Sequence, residues 1–177
     1  MTEIIIAGFG GQGVLVMGQL LAHAGMLEKK KVTWYPSYGP EQRGGTCNCS
    51  VVISDKEIGS PIVVEPDAAI IMNRPSLDRF EPLIKRGGLL VYNSTLIDRD
   101  VERTDLRVIA VPANEIADEL GSARTANMVT LGAFLEAANV VRVESIIESL
   151  SHVLSERHRG LIPLNVQALE RGRAYQY

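Results

Sequence analysis

The chain has 177 residues, of which 46% are hydrophobic and 22% charged, with a formal net charge of −3. This length suits one domain with a sizeable core, spanning residues 1–177. The sequence has no basic run, which argues against nucleic-acid binding. It has no stretch of about 18 apolar residues, which argues against membrane insertion, and no positively charged leader, which argues against secretion.

Strand and helix patterns alternate along the chain, which predicts an α/β domain with a largely parallel sheet. The predicted strands are Ile4–Ala7, Lys31–Tyr35, Thr46–Ile53, Glu57–Val64, Ala68–Met72, Leu89–Tyr92 and Arg107–Val111. The predicted helices begin at Gly13 and Pro75 and cover Ala113–Leu120, Thr125–Ala138 and Val143–Leu154, and Asn165 is expected to cap a short final helix.

The first strand leads directly into a glycine loop. Ile4–Ala7 is a continuous apolar run, typical of a central strand buried on both faces. The segment that follows, Gly8-Phe9-Gly10-Gly11-Gln12-Gly13, has the spacing G-x-G-x-x-G. Such a loop brings backbone close to an anionic ligand or another chain at a helix N-terminus.

Three interpretations of this loop are open. A dinucleotide site needs an acidic residue at the end of the second strand, to bind the ribose hydroxyls. Residues 33–37, Thr-Trp-Tyr-Pro-Ser, contain neither Asp nor Glu, so this interpretation is disfavoured. The glycines could instead serve only a tight turn. We favour the third interpretation, a ligand or partner contact at the helix N-terminus.

The third strand has one polar face. Cys47, Cys49 and Val51 share a face, and we expect both thiols to lie in the core rather than to react. Two cysteines and 3 histidines cannot form a structural zinc site or a four-thiolate cluster, and a reduced, cytoplasmic protein fits best. Glu57–Val64 is predicted to return as an antiparallel partner, so the sheet is expected to be mixed.

A second loop, residues 36–45, is dense in Pro and Gly. Arg43 precedes two glycines, and its guanidinium could bind a carboxylate, a phosphate or an acidic side chain of a partner. Glu41 could instead form a local surface ion pair with it. This loop should lie near the glycine loop, because both follow the carboxyl ends of strands.

The sequence shows no nucleophile–base pair, no P-loop lysine and no metal-binding constellation. His23, His152 and His158 lie in or near helices and are interpreted as surface or partly packed side chains. The chain therefore resembles part of an enzyme whose chemical centre lies elsewhere.

Several motifs occur in an order that is more specific than the glycines alone. They are Gly8–Gly13, Tyr38–Gly45, Ser60-Pro61, Pro66-Asp67 and Ala126–Ala133. Together they resemble the gamma subunit of the 2-oxoacid:ferredoxin oxidoreductases, of the 2-oxoglutarate, pyruvate or 2-oxoisovalerate type, over nearly the whole chain.

The resemblance implies a three-layer α/β domain with a mixed, mostly parallel sheet. In this family the whole enzyme decarboxylates a 2-oxoacid on thiamine diphosphate, transfers electrons through iron–sulfur clusters to ferredoxin and forms an acyl-CoA. The gamma subunit holds neither thiamine nor cluster, and a contact with coenzyme A is plausible. The resemblance places the site at Gly8, Gly10, Gly11, Gln12, Gly13, Tyr38, Arg43, Gly44 and Asn127.

The resemblance also implies partners: alpha and beta subunits, with a delta subunit as an optional addition, and ferredoxin through the complex. The isolated chain is expected to be inactive. Two other hypotheses remain, a stand-alone Rossmann-like nucleotide-binding protein and a protein that hides its apolar surface in a homodimer.

Overall fold

The structure is a computed structural model that describes residues 1–38 and 45–175, with only the backbone of Tyr38. Its strands are β1 (Thr2–Phe9), β2 (Lys31–Tyr38), β3 (Thr46–Ser54), β4 (Ala68–Ile71), β5 (Leu89–Asn93) and β6 (Arg107–Val111). Its α-helices are α1 (Val14–Leu27), α2 (Arg74–Phe80), α3 (Ala113–Glu119), α4 (Ala126–Ala138), α5 (Val143–Val153) and α6 (Ile162–Arg173). Short 3₁₀ turns cover Glu81–Leu83, Ala123–Thr125 and Glu156–Leu161.

These strands form one mixed sheet in the order β2-β3-β1-β4-β5-β6. β1 pairs in parallel with β4, which continues in parallel to β5 and β6. β3 is antiparallel to both β1 and β2 and lies between them. The predicted mixed, mostly parallel sheet is therefore confirmed.

Helices and loops cover the two faces of the sheet unequally. Ile4 and Ile6 of β1 belong to a large core formed with α1, α3, α4, α5 and α6. Ile5 and Ala7 face a smaller core that includes Leu77 of α2. Both faces of β1 are thus buried, which explains its uninterrupted apolar sequence.

The predicted strand at Glu57–Val64 is wrong, because residues 57–64 form no regular structure. Both edges of β3 are already paired with β1 and β2, so no edge remains for a further partner. The apolar residues of this segment have a different role. Val63 packs against the smaller core, whereas Ile62 and Val64 are exposed.

Two element boundaries also differ from the prediction. β2 continues through Pro36 to Tyr38, which is tolerated because β2 lies at the edge of the described sheet. Asn165 does not cap the final helix, because α6 already begins at Ile162, with Pro163 in its first turn. Its Nδ2 instead donates to the carbonyl oxygen of Leu161 at 2.8 Å.

The two cysteines of β3 lie in the larger core, as predicted. Cys47 and Cys49 are unpaired thiols, and both are buried. Burial raises the pKa of Cys49 to about 12 and also raises the pKa of Cys47. Since only the thiolate is a good nucleophile, both side chains are poorly reactive in the folded chain.

Helices α4 and α6 cross at two glycines. A Cβ at Gly132 would clash with the carbonyl oxygen of Leu169, and one at Gly172 would clash with that of Val129. The close backbone approach therefore depends on the absence of side chains at these positions. This crossing holds α4 against the rest of the helical layer and so fixes the position of its N-terminus.

Gly172→Ala is expected to lower the free energy of unfolding by about 1–3 kcal/mol, because the methyl group forces the two helices apart. Gly160→Ala is the control, since a Cβ there meets open space. Urea denaturation followed by circular dichroism measures both. Equal midpoints for the two variants would show that the helices do not meet at Gly172.

Cys49 is expected to react with iodoacetamide at pH 8 roughly a thousandfold more slowly in the folded chain than in urea, given its raised pKa. Mass spectrometry of timed samples measures the rate at each cysteine. Labelling of Cys49 at the same rate in both states would contradict its burial in the core.

Candidate functional site

The glycine loop needs its small residues for separate reasons. A Cβ at Gly8 would lie 2.6 Å from Gln12 Oε1 and 2.9 Å from the Cβ of Met72, so that position is limited by space. Gly11 has open space but a φ of +99°, which L side chains rarely adopt. Gly13, the residue before α1, has a φ of +75°, and a Cβ there would clash with Asn127.

Gln12 holds the loop against the end of β4. Its Oε1 accepts from the backbone N–H of Phe9 at 2.6 Å, and its Nε2 donates to the carbonyl oxygen of Met72 at 3.2 Å. The backbone N–H of Gln12 also donates to the carbonyl oxygen of Phe9 at 3.1 Å. A side chain with both a donor and an acceptor is therefore required at this position.

The second loop ends beside the glycine loop, as its position after β2 predicts. The backbone N–H of Gly10 donates to the carbonyl oxygen of Gly45 at 3.0 Å, and Phe9 is paired with Thr46. The predicted site residues Arg43 and Gly44, and the alternative partner Glu41, lie outside the described residues, as does the side chain of Tyr38.

A cavity of about 210 Å³ lies beside the glycine loop, at the carboxyl edge of the sheet. We call it the glycine-loop cavity. Its lining includes Gly11, Gln12, Met72, Leu96, Asn114, Arg124, Ala126 and Asn127. The first turns of α3 and α4 supply Asn114 and Asn127, so helices distant in sequence meet the loop here.

Asn127 is the most unusual polar residue of this cavity. It is 8% exposed, and its Oδ1 is buried without a hydrogen-bond partner among the described residues. An unpaired buried acceptor costs about 1–3 kcal/mol. Asn127 also borders a smaller, mainly apolar cavity of about 130 Å³ near Leu154 and Leu164.

Sequence reasoning found Asn127 but missed Asn114 and Arg124. Arg124 is exposed and forms no ion pair or hydrogen bond with its side chain within residues 1–38 and 45–175, so its guanidinium is available to an anion. Asn114 follows the carboxyl end of β6 by three positions. Ligands of α/β sheets bind outside the carboxyl edge, so the position of Asn114 shortly after a strand is the sequence signal that could have identified it.

The strand order argues against a dinucleotide site. In a dinucleotide fold, the strand carrying the ribose-binding acid lies next to the strand that leads into the glycine loop. Here β3 separates β2 from β1, which places β2 about 10 Å away, two strand spacings. The strand order and the lack of an acidic residue after the second strand therefore both argue against a dinucleotide site.

The three histidines do not line the glycine-loop cavity, although His158 borders the smaller cavity beside it. The rings of His23 and His152 stack with centroids 4.9 Å apart, and His23 Nδ1 lies 2.9 Å from Ser149 Oγ. Within the described residues, no three His, Cys, Asp or Glu side chains are grouped so that they could hold a metal ion. None of the helices described here is both long and apolar enough to span a membrane.

Gln12→Glu is expected to destabilise the fold by about 1–3 kcal/mol at neutral pH, because a carboxylate would face the carbonyl oxygen of Met72. Gln19→Glu on α1 is the matched control, and it should cost less. Thermal unfolding of both variants measures the difference. Equal melting temperatures would show that the hydrogen bond to Met72 does not hold the loop.

Comparisons with known proteins agree with the motifs. The chain is 44% identical over 173 residues to ketoisovalerate oxidoreductase subunit VorA of Methanothermobacter marburgensis, covering 97% of this chain and 36% of that relative. The chain thus spans about a third of the length of this relative.

Two solved structures share the fold. One is the gamma subunit of the keto/oxoacid ferredoxin oxidoreductase from Geobacter sulfurreducens PCA, with a TM-score of 0.82, 28% identity and coverage of 97% of this chain and 96% of that chain. The other is the 2-oxoglutarate:ferredoxin oxidoreductase from Magnetococcus marinus with 2-oxoglutarate, coenzyme A and succinyl-CoA bound. It gives a TM-score of 0.87 at 25% identity and covers 98% of this chain and 30% of that chain.

The model of the pyruvate ferredoxin/flavodoxin oxidoreductase family matches residues 3–175. The resemblance predicted from the ordered motifs is therefore confirmed over nearly the whole sequence. The chain belongs to the pyruvate ferredoxin/flavodoxin oxidoreductase family.

Proposed function

We propose that this chain, as one domain over residues 1–177, is the gamma subunit of a heteromeric 2-oxoacid:ferredoxin oxidoreductase. The complex would decarboxylate a 2-oxoacid oxidatively, form an acyl-CoA and reduce ferredoxin. The full-length likeness to the Geobacter gamma subunit supports this assignment. Thiamine diphosphate and the iron–sulfur clusters would be held by alpha and beta subunits, with or without a delta subunit.

The glycine-loop cavity is proposed as the coenzyme A side of a shared active site. The observation that carries this assignment is that the glycine loop, Asn114 and Asn127 meet at one cavity on the carboxyl edge of the sheet, where ligands of α/β domains bind. The Magnetococcus relative is described with coenzyme A and succinyl-CoA bound. A cavity of about 210 Å³ would hold only part of coenzyme A, and a partner subunit would cover the rest.

The residues of this chain would bind and orient coenzyme A rather than carry out bond changes. Arg124, exposed at the edge of the cavity, suits a phosphate group. Arg43, with Tyr38 and Gly44, would extend the same surface from the second loop, whose end at Gly45 contacts Gly10. The unpaired cysteines are consistent with the proposed cytoplasmic location.

Activity of the purified complex tests the assignment to an oxidoreductase. The chain is produced alone and together with its partner subunits, and coenzyme A-dependent reduction of ferredoxin is measured with each candidate 2-oxoacid. We expect activity from the complex and none from the isolated chain. Full activity of the isolated chain, or activity of the partners that is independent of this chain, would contradict the proposal.

Asn127→Leu tests the role of the cavity. In the complex, we expect the KM for coenzyme A to rise about tenfold, because a polar side chain of the cavity lining is replaced by an apolar one, while the KM for the 2-oxoacid stays the same. The melting temperature should not fall, since the substitution removes an unpaired polar atom.

Asn139→Gly, at the opposite end of α4, is the control, because Asn139 has a φ of +51° that glycine accepts. It should leave both KM values unchanged. An unchanged KM for coenzyme A in Asn127→Leu would show that the cavity is not on the coenzyme A side of the site.

A further inference from the structure

The ring of His23 has one consistent tautomer. Its Nδ1 lies 2.9 Å from Oγ of Ser149, a fully buried residue of α5. Ser149 Oγ donates its one hydrogen to the carbonyl oxygen of Ser145 at 2.6 Å. A carbonyl oxygen can only accept, so Ser149 must accept from His23, and Nδ1 carries the proton of the neutral ring.

The free lone pair of the neutral His23 ring is therefore on Nε2. Nε2 has no hydrogen-bond partner in the part of the chain that the structure describes. It is also accessible, because the buried side-chain nitrogen and oxygen atoms that lack a partner there belong to Thr33, Trp34 and Asn127. The contacts among His23, Ser149 and Ser145 thus fix an accessible hydrogen-bond acceptor on α1.

His23 lines a cavity of about 460 Å³ between α1, α5 and β2. We call it the α1–α5 cavity. Its walls are mainly aromatic and aliphatic, and they include Met26, Trp34, His152 and Val153. This volume lies in the usual range of small-molecule sites, about 300–1,000 Å³. No described residue lines both this cavity and the glycine-loop cavity.

The lining of the α1–α5 cavity favours a neutral ligand. Among the described residues, no Asp, Glu, Lys or Arg lines it, so a charged ligand would meet no opposite charge there. A metal ion shared by His23 and His152 does not suit the geometry either. Their ring planes are 22° apart and stacked, so the nitrogen lone pairs, which lie in those planes, do not converge on one ion.

One accessible acceptor among aromatic and aliphatic side chains complements a flat, apolar ring that carries a donor. Indole is such a ring, because its N–H donates and its nitrogen does not accept. Gln19, one turn before His23 on α1, is the other polar residue of the described lining. Its carboxamide carries both a donor and an acceptor, so the specificity for a donor comes from His23.

We infer that the α1–α5 cavity binds a small, neutral aromatic heterocycle of the indole class, as a free molecule. The ring N–H of the ligand donates to His23 Nε2, and the ring contacts apolar side chains such as Met26 and Trp34. Ser149 is a positioning residue, because it fixes the tautomer of His23. This inference is independent of the proposed coenzyme A contact.

Indole and benzofuran form a matched pair of probes, because benzofuran has the same fused rings with an oxygen in place of the N–H. Titration of the full chain, followed by NMR of Trp34, its one tryptophan, gives both dissociation constants. We expect indole to bind in about the millimolar range and benzofuran roughly tenfold more weakly, because benzofuran cannot donate to Nε2. Equal constants, or no binding of either probe, would overturn the inference.

His23→Phe keeps an aromatic ring but removes the acceptor. The preference for indole over benzofuran should then fall below about twofold. His158→Phe is the matched control, since His158 does not line the α1–α5 cavity, and it should keep the full preference. A full preference in His23→Phe would overturn the inference, because the donor would then bind to another group.

Ser149→Ala tests the positioning role. Without the serine oxygen, Nδ1 loses its acceptor, and the proton can move to Nε2, which then donates. NMR of the His23 ring nitrogens at alkaline pH reports the tautomer directly. We expect the proton on Nδ1 in the unaltered chain, and a shift toward Nε2 with a smaller indole preference in the variant. A proton on Nε2 in the unaltered chain would overturn the assignment of the acceptor.

Equilibrium dialysis of indole against the assembled complex tests whether the ligand is a free molecule. We expect the complex to bind indole within about threefold of the affinity of the chain alone, and the complex carrying His23→Phe to bind it more weakly. Loss of indole binding on assembly would show that a partner subunit covers the cavity and would overturn the inference. The coenzyme A assignment would stand in either case, because Asn127→Leu tests it separately.

Discussion

The glycine loop at the end of β1 constrains the geometry of the whole candidate site. Its chain turns within six residues because Gly8 leaves space for Gln12, while Gly11 and Gly13 adopt a positive φ. Gln12 then ties the turn to Met72. This turn places the start of α1 so close to α4 that Asn127 packs against the backbone of Gly13. A larger side chain at Gly13 would displace Asn127, which lines the glycine-loop cavity.

The antiparallel strand β3 is the second determinant of the site. It separates β2 from β1, and its first residues bring the end of the second loop against Gly10. Because β3 lies between them, β1 and β2 are not adjacent, whereas a dinucleotide site would require adjacent strands. The same strand brings the two glycine-bearing loops together at one edge of the sheet. The candidate site is built from carboxamides and backbone of several elements that are distant in sequence.

The sequence pattern correctly predicted the strands in which every residue is buried. Ile4–Ala7 and Ala68–Met72 are apolar throughout because both faces of the sheet are covered, and both were placed correctly. The segment Glu57–Val64 misled the prediction, because packing of Val63 onto a sheet face produces the same apolar character as strand pairing. Asn114 was missed although it closely follows β6, because the sequence alone does not show that α3 brings it beside the glycine loop.

Hydrogen–deuterium exchange of the assembled complex, with and without coenzyme A, tests most directly whether this edge of the sheet is the coenzyme A side of a shared active site. We expect coenzyme A to slow exchange in peptides covering residues 8–17 and 113–128, which contain the glycine loop and the first turns of α3 and α4. Peptides from the far end of α4 and from α6 should exchange at unchanged rates. Protection elsewhere in the complex, with none in these two segments, would show that coenzyme A binds away from this edge of the sheet.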